Sequence, residues 1–192
     1  ISMFTFMSTL DGSIVNIALP TISDDMGIPM NQAEWVVSVY LMIVCSCLLL
    51  FGKIGDSRGK IKVFRIGTLI FVLGSLLCGF NHSLGILLFA RVVQAIGASM
   101  TMATNAGIIT EVFPIHERGR ALGAIGAFVS LGSIAGPGLG GLILSQFSWA
   151  YIFWINVPVG IVTMLIAEKF LPKDITLGGH TIDGGGFAAI AA

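Results

Sequence analysis

Between two apolar runs, residues 33–52 and 63–80, the chain reads Gly52-Lys53-Ile54-Gly55-Asp56-Ser57-Arg58-Gly59-Lys60-Ile61-Lys62. A hydrocarbon core of about 30 Å takes about 20 helical residues to cross, and each flanking run has that length. Lys53, Arg58, Lys60 and Lys62 therefore lie between two spans, where basic residues gather on the cytoplasmic side. Gly55 and Gly59 permit sharp backbone geometry, and Asp56 is placed to accept hydrogen bonds from the N–H groups that open the next helix. The expected structure is a tight basic turn joining two membrane helices. A solvated loop accounts for the lysines but not for the spacing of the glycines and the aspartate.

Outward from that turn, apolar runs of span length recur at 3–22, 84–109, 121–147 and 151–171. Six spans are expected, an all-α membrane protein. After Pro172 a Gly-rich polar linker leads into Asp183 to Ala192, which reads as the opening of a seventh run. The expected division is a bundle over 1–172, then a linker and the start of a truncated span over 173–192. Because the chain opens on Ile1 and breaks off inside an apolar run, it is expected to be a fragment of a longer protein.

Composition agrees. Of the 192 residues, 55% are hydrophobic and 10% charged, and the mean hydropathy is +0.95. Soluble domains carry about 25% charged residues, so this chain lacks the charge to wet a globule, and a water-soluble enzyme is disfavoured. Formal net charge is zero, which gives no general attraction to nucleic acid. The 25 glycines, about twice the usual share of roughly 7%, suit helices whose backbones approach closely. Cys45, Cys47 and Cys78 lie in apolar runs and read as small packing residues. His82, His116 and His180 are scattered at or beyond span ends, so no metal site is expected.

The ten Lys and Arg residues set the orientation. Nine follow the second, fourth and sixth spans, among them Arg118, Arg120, Lys169 and Lys173, while the other connections carry none. That side, and the N-terminus with it, is expected to be cytoplasmic. Trp35, Trp149, Tyr151 and Trp154 fall near the outer interface, where an aromatic belt belongs.

The tenth basic residue, Arg91, lies inside the fourth span, and Asp11 lies inside the first. Counting at 1.5 Å per residue places Asp11 roughly 16 Å, and Arg91 roughly 11 Å, below the outer ends of their spans. Opposite charges at similar depth are expected to be neighbours, since a charge inside a span needs a partner or a wet cavity. A carboxylate near the midplane can exchange a proton for a substrate, whereas Arg keeps its charge. A structural ion pair that locks two helices is the alternative. Gln94, one turn from Arg91, belongs on the same face. Asn16 stands about 140° around the helix from Asp11 and is a site candidate or a helix contact.

In the fifth span, Gly132-Ser133-Ile134-Ala135-Gly136-Pro137-Gly138-Leu139-Gly140-Gly141 combines a proline, which removes a helical hydrogen bond, with glycines at 132, 136 and 140 on one small face. The string is not a dinucleotide loop, because no strand precedes it.

The Gly52 to Lys62 stretch resembles the signature between spans two and three of the Major Facilitator Superfamily, with Ser57 where an arginine usually follows the aspartate. Leu10-Asp11-Gly12-Ser13-Ile14-Val15-Asn16-Ile17-Ala18-Leu19-Pro20 resembles the first-span motif of its fourteen-span drug:proton antiporters. Arg91-Val92-Val93-Gln94-Ala95-Ile96-Gly97 resembles their fourth-span R-x-x-Q-G-x-G pattern, with Ala95 for the first glycine. Gly132, Gly136, Pro137, Gly140 and Gly141 match their span-five antiporter motif.

The resemblance implies the N-terminal six-helix half of a facilitator-type transporter, built from inverted three-helix repeats around a midplane cavity. It implies proton-coupled export of amphipathic compounds, with Asp11, Arg91, Gln94 and Asn16 at the proton and substrate site. It also implies a cytoplasmic gate of Gly52, Gly55, Asp56, Arg58, Gly59, Lys60 and Glu111, in which Glu111 pairs with Arg58. No ATP-binding loop is present in the sequence, so no cofactor is expected beyond the proton-motive force. The expected partners are protons, a small-molecule substrate, the lipid of a plasma membrane and the other half of the transporter. A carrier of a sugar, amino acid or siderophore, or a non-transporting membrane scaffold, are the alternative classes.

Overall fold

In the computed structural model the residues described are 1–80 and 83–170. The linker and seventh run expected over 173–192, with Lys173 and His180, lie outside the described residues, as do His82 and the end of the sixth span. The described elements are all helices: α1 (Ser2–Met26), α2 (Met30–Ala33), α3 (Trp35–Arg58), α4 (Lys60–Gly79), α5 (Leu84–Val112), α6 (Ile115–Gln146), α7 (Ala150–Trp154) and α8 (Asn156–Phe170).

Among the described residues, five stretches are long and apolar enough to cross a membrane: Met30–Arg58, Lys60–Gly79, Leu84–Val112, Ile115–Gln146 and Ala150–Lys169. The first expected span, α1, has the length at 25 residues but is less apolar. Four of its polar residues, Thr5, Ser8, Asp11 and Ser23, are buried. Proline and glycine place the breaks. Gly27 ends α1 in the left-handed region at φ 61°, and Pro29 and Pro114 precede the first residues of α2 and α6, where a missing N–H costs nothing.

The basic turn is tighter than the sequence suggests. Helix α3 continues through Arg58 and α4 opens at Lys60, so the connection is Gly59 alone, at φ 100°. Only glycine takes that conformation without strain. Gly55, by contrast, is helical and buried. A Cβ there would fall 2.8 Å from a Thr104 methyl, so it serves close packing rather than a turn. Asp56 makes no cap on α4 and instead meets Lys60 Nζ at 2.9 Å.

Helices α4 and α5 form the interior, each with 56% of its apolar window buried against 17% for α3 and α6. Their backbones pack directly on one another at Gly97, where a Cβ would fall 2.3 Å from the Phe71 nitrogen and 2.6 Å from the Gly67 carbonyl oxygen. Ala95 is buried in the core, so the departure from the glycine pattern does not open this contact.

The buried apolar residues divide into two clusters. One holds Leu10, Ile14, Val36, Cys78, Leu87, Ala90 and Phe153 among others. The second holds Phe4, Met7, Tyr40, Phe64, Phe71, Ala95 and Ala98, with Phe4 edge-on to Phe71 at 5.2 Å between ring centres. On α4 and α5 the boundary between clusters falls at a polar residue, Ser75 and the pair Arg91 and Gln94, whereas on α1 it falls at Ser8, one turn before Asp11. A polar layer thus lies near the meeting of the two apolar clusters, and a separate buried polar contact, from Asn105 Nδ2 to Thr5 Oγ1 at 3.2 Å, lies apart from it.

Of the expected aromatic belt, Trp35 and Tyr151 are exposed. Trp149 is buried and donates from Nε1 to Asp25 Oδ2 at 2.7 Å, so it is a helix tie rather than a belt residue.

Candidate functional site

Asp11 sits on the buried face of α1 with 1% of its surface exposed, opposite Arg91 of α5 at 0%. Arg91 Nη1 donates to Asp11 Oδ2 at 2.8 Å. The other carboxylate oxygen, Oδ1, accepts from Gln94 Nε2 at 3.1 Å and from Asn156 Nδ2 at 2.6 Å. Gln94 Nε2 also reaches Ser75 Oγ at 2.8 Å, whose hydroxyl donates to the Phe71 carbonyl of its own helix. Four helices, α1, α4, α5 and α8, thus contribute side chains to one carboxylate-centred network.

The guanidinium has partners besides the carboxylate. Arg91 Nε donates to the Val36 carbonyl at 3.1 Å and Nη1 to Gln94 Oε1 at 2.6 Å. Its carbon lies 4.2 Å from the centre of the Tyr40 ring and 5.7 Å from that of Phe153, within range of cation–π attraction. Arg91 Nη2 and Asn156 Oδ1 are buried with no hydrogen-bond partner among the described residues, which leaves one donor and one acceptor of the layer open.

The structure joins Asp11, Arg91 and Gln94 and leaves Asn16 out. Asn16 is exposed, and its Nδ2 donates to the Gly12 carbonyl on its own helix at 2.8 Å. Its angular offset from Asp11 carries it away from the interior. Asn156 and Ser75 are the network members, and Tyr40 the ring against Arg91, that sequence reasoning missed. Asn156 carried the one available signal, a polar residue within a span-sized apolar run.

At the end of the bundle where α3 passes into α4, Lys60 Nζ lies 2.5 Å from Glu111 Oε1 and 2.9 Å from Asp56 Oδ1. Glu111 therefore meets Lys60, not Arg58, whose side chain is exposed. The turn being a single residue, Lys60 opens α4 on the side facing α5. Gly52 has open space around its Cα.

Three glycines of α6 face α1. Gly132, Gly136 and Gly140 are buried, and a Cβ at 132 would fall 2.8 Å from the Phe6 carbonyl oxygen. Gly141 faces open space and takes no part in this contact. Among the described residues no cluster of potential metal ligands occurs.

A sequence model of the Major Facilitator Superfamily matches residues 1–187 of this chain. The chain belongs to that superfamily. Among Major Facilitator relatives, the riboflavin transporter RibZ of Clostridioides difficile (strain 630) is 48% identical over 170 residues, 88% of this chain and 37% of the relative. The multidrug export protein EmrB of Escherichia coli (strain K12) is 34% identical over 171 residues, 89% of this chain and 33% of the relative. The chain thus spans 37% and 33% of the lengths of these two relatives. The fold matches the crystal structure of a bacterial homolog to the human lysosomal transporter Spinster, in inward-facing and occupied conformation, with a TM-score of 0.77 over 92% of this chain and 44% of that one. At 17% identity that likeness speaks for the Major Facilitator fold alone.

Proposed function

We propose that this chain forms the N-terminal bundle of a longer proton-coupled exporter of small amphipathic compounds, with Asp11 as the site where proton and cargo compete. The observation that carries the proposal is the set of alternative partners around Arg91. Taking one partner from a buried ion pair commonly costs about 3–5 kcal/mol, because the other charge is left alone. If Asp11 takes a proton, Arg91 still has the Val36 carbonyl, Gln94 Oε1 and the Tyr40 and Phe153 ring faces. Both protonation states of Asp11 are thus provided for, which a pair serving only to lock helices does not require.

In this reading the carboxylate gives up its proton as a cationic or polar group of the cargo enters the layer, and regains it as the cargo leaves. The unpartnered Arg91 Nη2 and Asn156 Oδ1 are the polar atoms free to meet the cargo. The apolar clusters above and below keep water from short-circuiting the exchange. The N-terminus and the Lys60–Glu111 end face the cytoplasm of a plasma membrane, and the driving force is the proton gradient. Resemblance to EmrB, a multidrug export protein, supports the cargo class.

The 48% identity with a riboflavin transporter favours a second reading, in which the cargo is a planar polar heterocycle. One experiment separates the two. The full-length protein in proteoliposomes is given an imposed pH gradient, and movement of a lipophilic cationic dye and of riboflavin is followed in parallel. Gradient-driven dye movement supports the first reading and gradient-driven riboflavin movement the second. Movement indifferent to the gradient, or none, overturns proton coupling.

A further inference from the structure

We propose that Ser13 is a positioning residue that pins α1 to α6 by taking over the backbone carbonyl that Pro137 deprives of its helical partner. In an α-helix the N–H of residue i bonds the carbonyl of residue i−4. Proline has no N–H, so within α6 Pro137 leaves the Ser133 carbonyl without that donor. Ser13 Oγ of α1 donates to the Ser133 oxygen at 3.1 Å. The hydroxyl supplies what the proline withholds, from a different helix.

This is a departure from how hydroxyls behave elsewhere in the bundle. Thr68, Ser75, Thr104, Ser130 and Thr163 all bond carbonyls of their own helices. Ser13 crosses over because Gly136 lets it. A Cβ at 136 would fall 2.4 Å from both Cβ and Oγ of Ser13, so any side chain there would push the hydroxyl away. Gly136 and Pro137 thus act as a pair, one opening the space and the other exposing the acceptor. Ser13 lies two residues from Asp11, so the pin fixes the helix that carries the carboxylate against α6 at its proline.

The inference rests on the transport reading only for its consequence, since the bond itself can be tested in a protein that moves no cargo. The test is a double-mutant cycle in the full-length protein, comparing wild type, Ser13→Ala, Pro137→Ala and the double variant. The readouts are hydrogen exchange of the segment 129–141 and the thermal unfolding midpoint. Pro137→Ala restores the N–H and makes the hydroxyl redundant. Loss of one hydrogen bond of typical strength opens a segment roughly five-fold more often. Ser13→Ala should therefore speed exchange about five-fold and lower the midpoint when Pro137 is present, and do neither in the Pro137→Ala background. An equal effect in both backgrounds would reduce Ser13 to ordinary packing and overturn the proposal, and no effect in the wild-type background would overturn it outright. Should Pro137→Ala fail to insert, Ser13→Cys provides a weaker donor. Exchange intermediate between Ser and Ala is expected, and exchange as fast as Ala or faster would contradict the pin.

Discussion

Asn156 Nδ2 lies 2.6 Å from Asp11 Oδ1 across 145 residues of chain, so the carboxylate of the first membrane helix is held directly by the last helix described. A hydrogen bond to a charged acceptor contributes about 1.5–3 kcal/mol. Asn156→Ala should therefore cut gradient-driven cargo movement by about ten-fold or more and lower the thermal midpoint of the full-length protein. Both are measured on the same detergent-purified preparation, before and after reconstitution.

Lys60 bridges Asp56 and Glu111 at the connection between α3 and α4. Exposed and half-exposed pairs are worth about 0.2–1 kcal/mol, and the Lys60 side chain is 20% exposed against 50% for Glu111. A double-mutant cycle of Lys60→Ala with Glu111→Ala should show coupling within that range. The same cycle with Arg58→Ala should be additive, because Arg58 does not reach Glu111.

Close packing at Gly97 is set by backbone atoms of α4 that cannot swing aside. Gly97→Ala should destabilise by about 1–3 kcal/mol. Gly141→Ala, inside α6 and meeting nothing within 4 Å, should leave stability unchanged or raise it by up to about 1 kcal/mol. Thermal unfolding of the two variants side by side checks the contrast.

The orientation predicts labelling. In a variant of the full-length protein without native cysteines, an impermeant thiol reagent added outside should modify a cysteine at Ser83 and spare one at Ser57. The reverse pattern would invert the bundle and move the Lys60 cluster to the outer face.

Much of this was legible in the sequence, for reasons that the misses make plain. Span lengths and the depths of Asp11 and Arg91 follow from one number, the helical rise, so the pair could be anticipated. Asn156 could not, because its run gives a polar residue without saying which neighbour it faces. The offset of Asn16 from Asp11, about 140°, leaves two readings open in sequence, site candidate or helix contact, and the structure puts it outside the network, bonded to its own helix. The Gly52 to Lys62 stretch showed that a connection exists but not its length. With Gly59 as the whole turn, Lys60 faces Glu111, the place expected for Arg58. Gly55 and Gly59 look alike in sequence, and only packing separates a contact glycine from a turn glycine. Gly136 reads in sequence as a small residue and Pro137 as the loss of a helical hydrogen bond, while the hydroxyl they admit comes from another helix and leaves no local mark.

The central claim is that Asp11 carries the coupled proton. It is tested most directly by Asp11→Asn in the full-length protein, assayed as pH-gradient-driven cargo efflux from proteoliposomes. Asparagine keeps the shape, and its one amide oxygen can accept from Arg91 while its NH2 stands where Gln94 and Asn156 met the carboxylate, but it cannot exchange a proton. The account predicts normal insertion and efflux that no longer responds to the gradient. Efflux at the wild-type rate, with wild-type dependence on the gradient, would contradict it and leave the Asp11–Arg91 pair as a lock between helices.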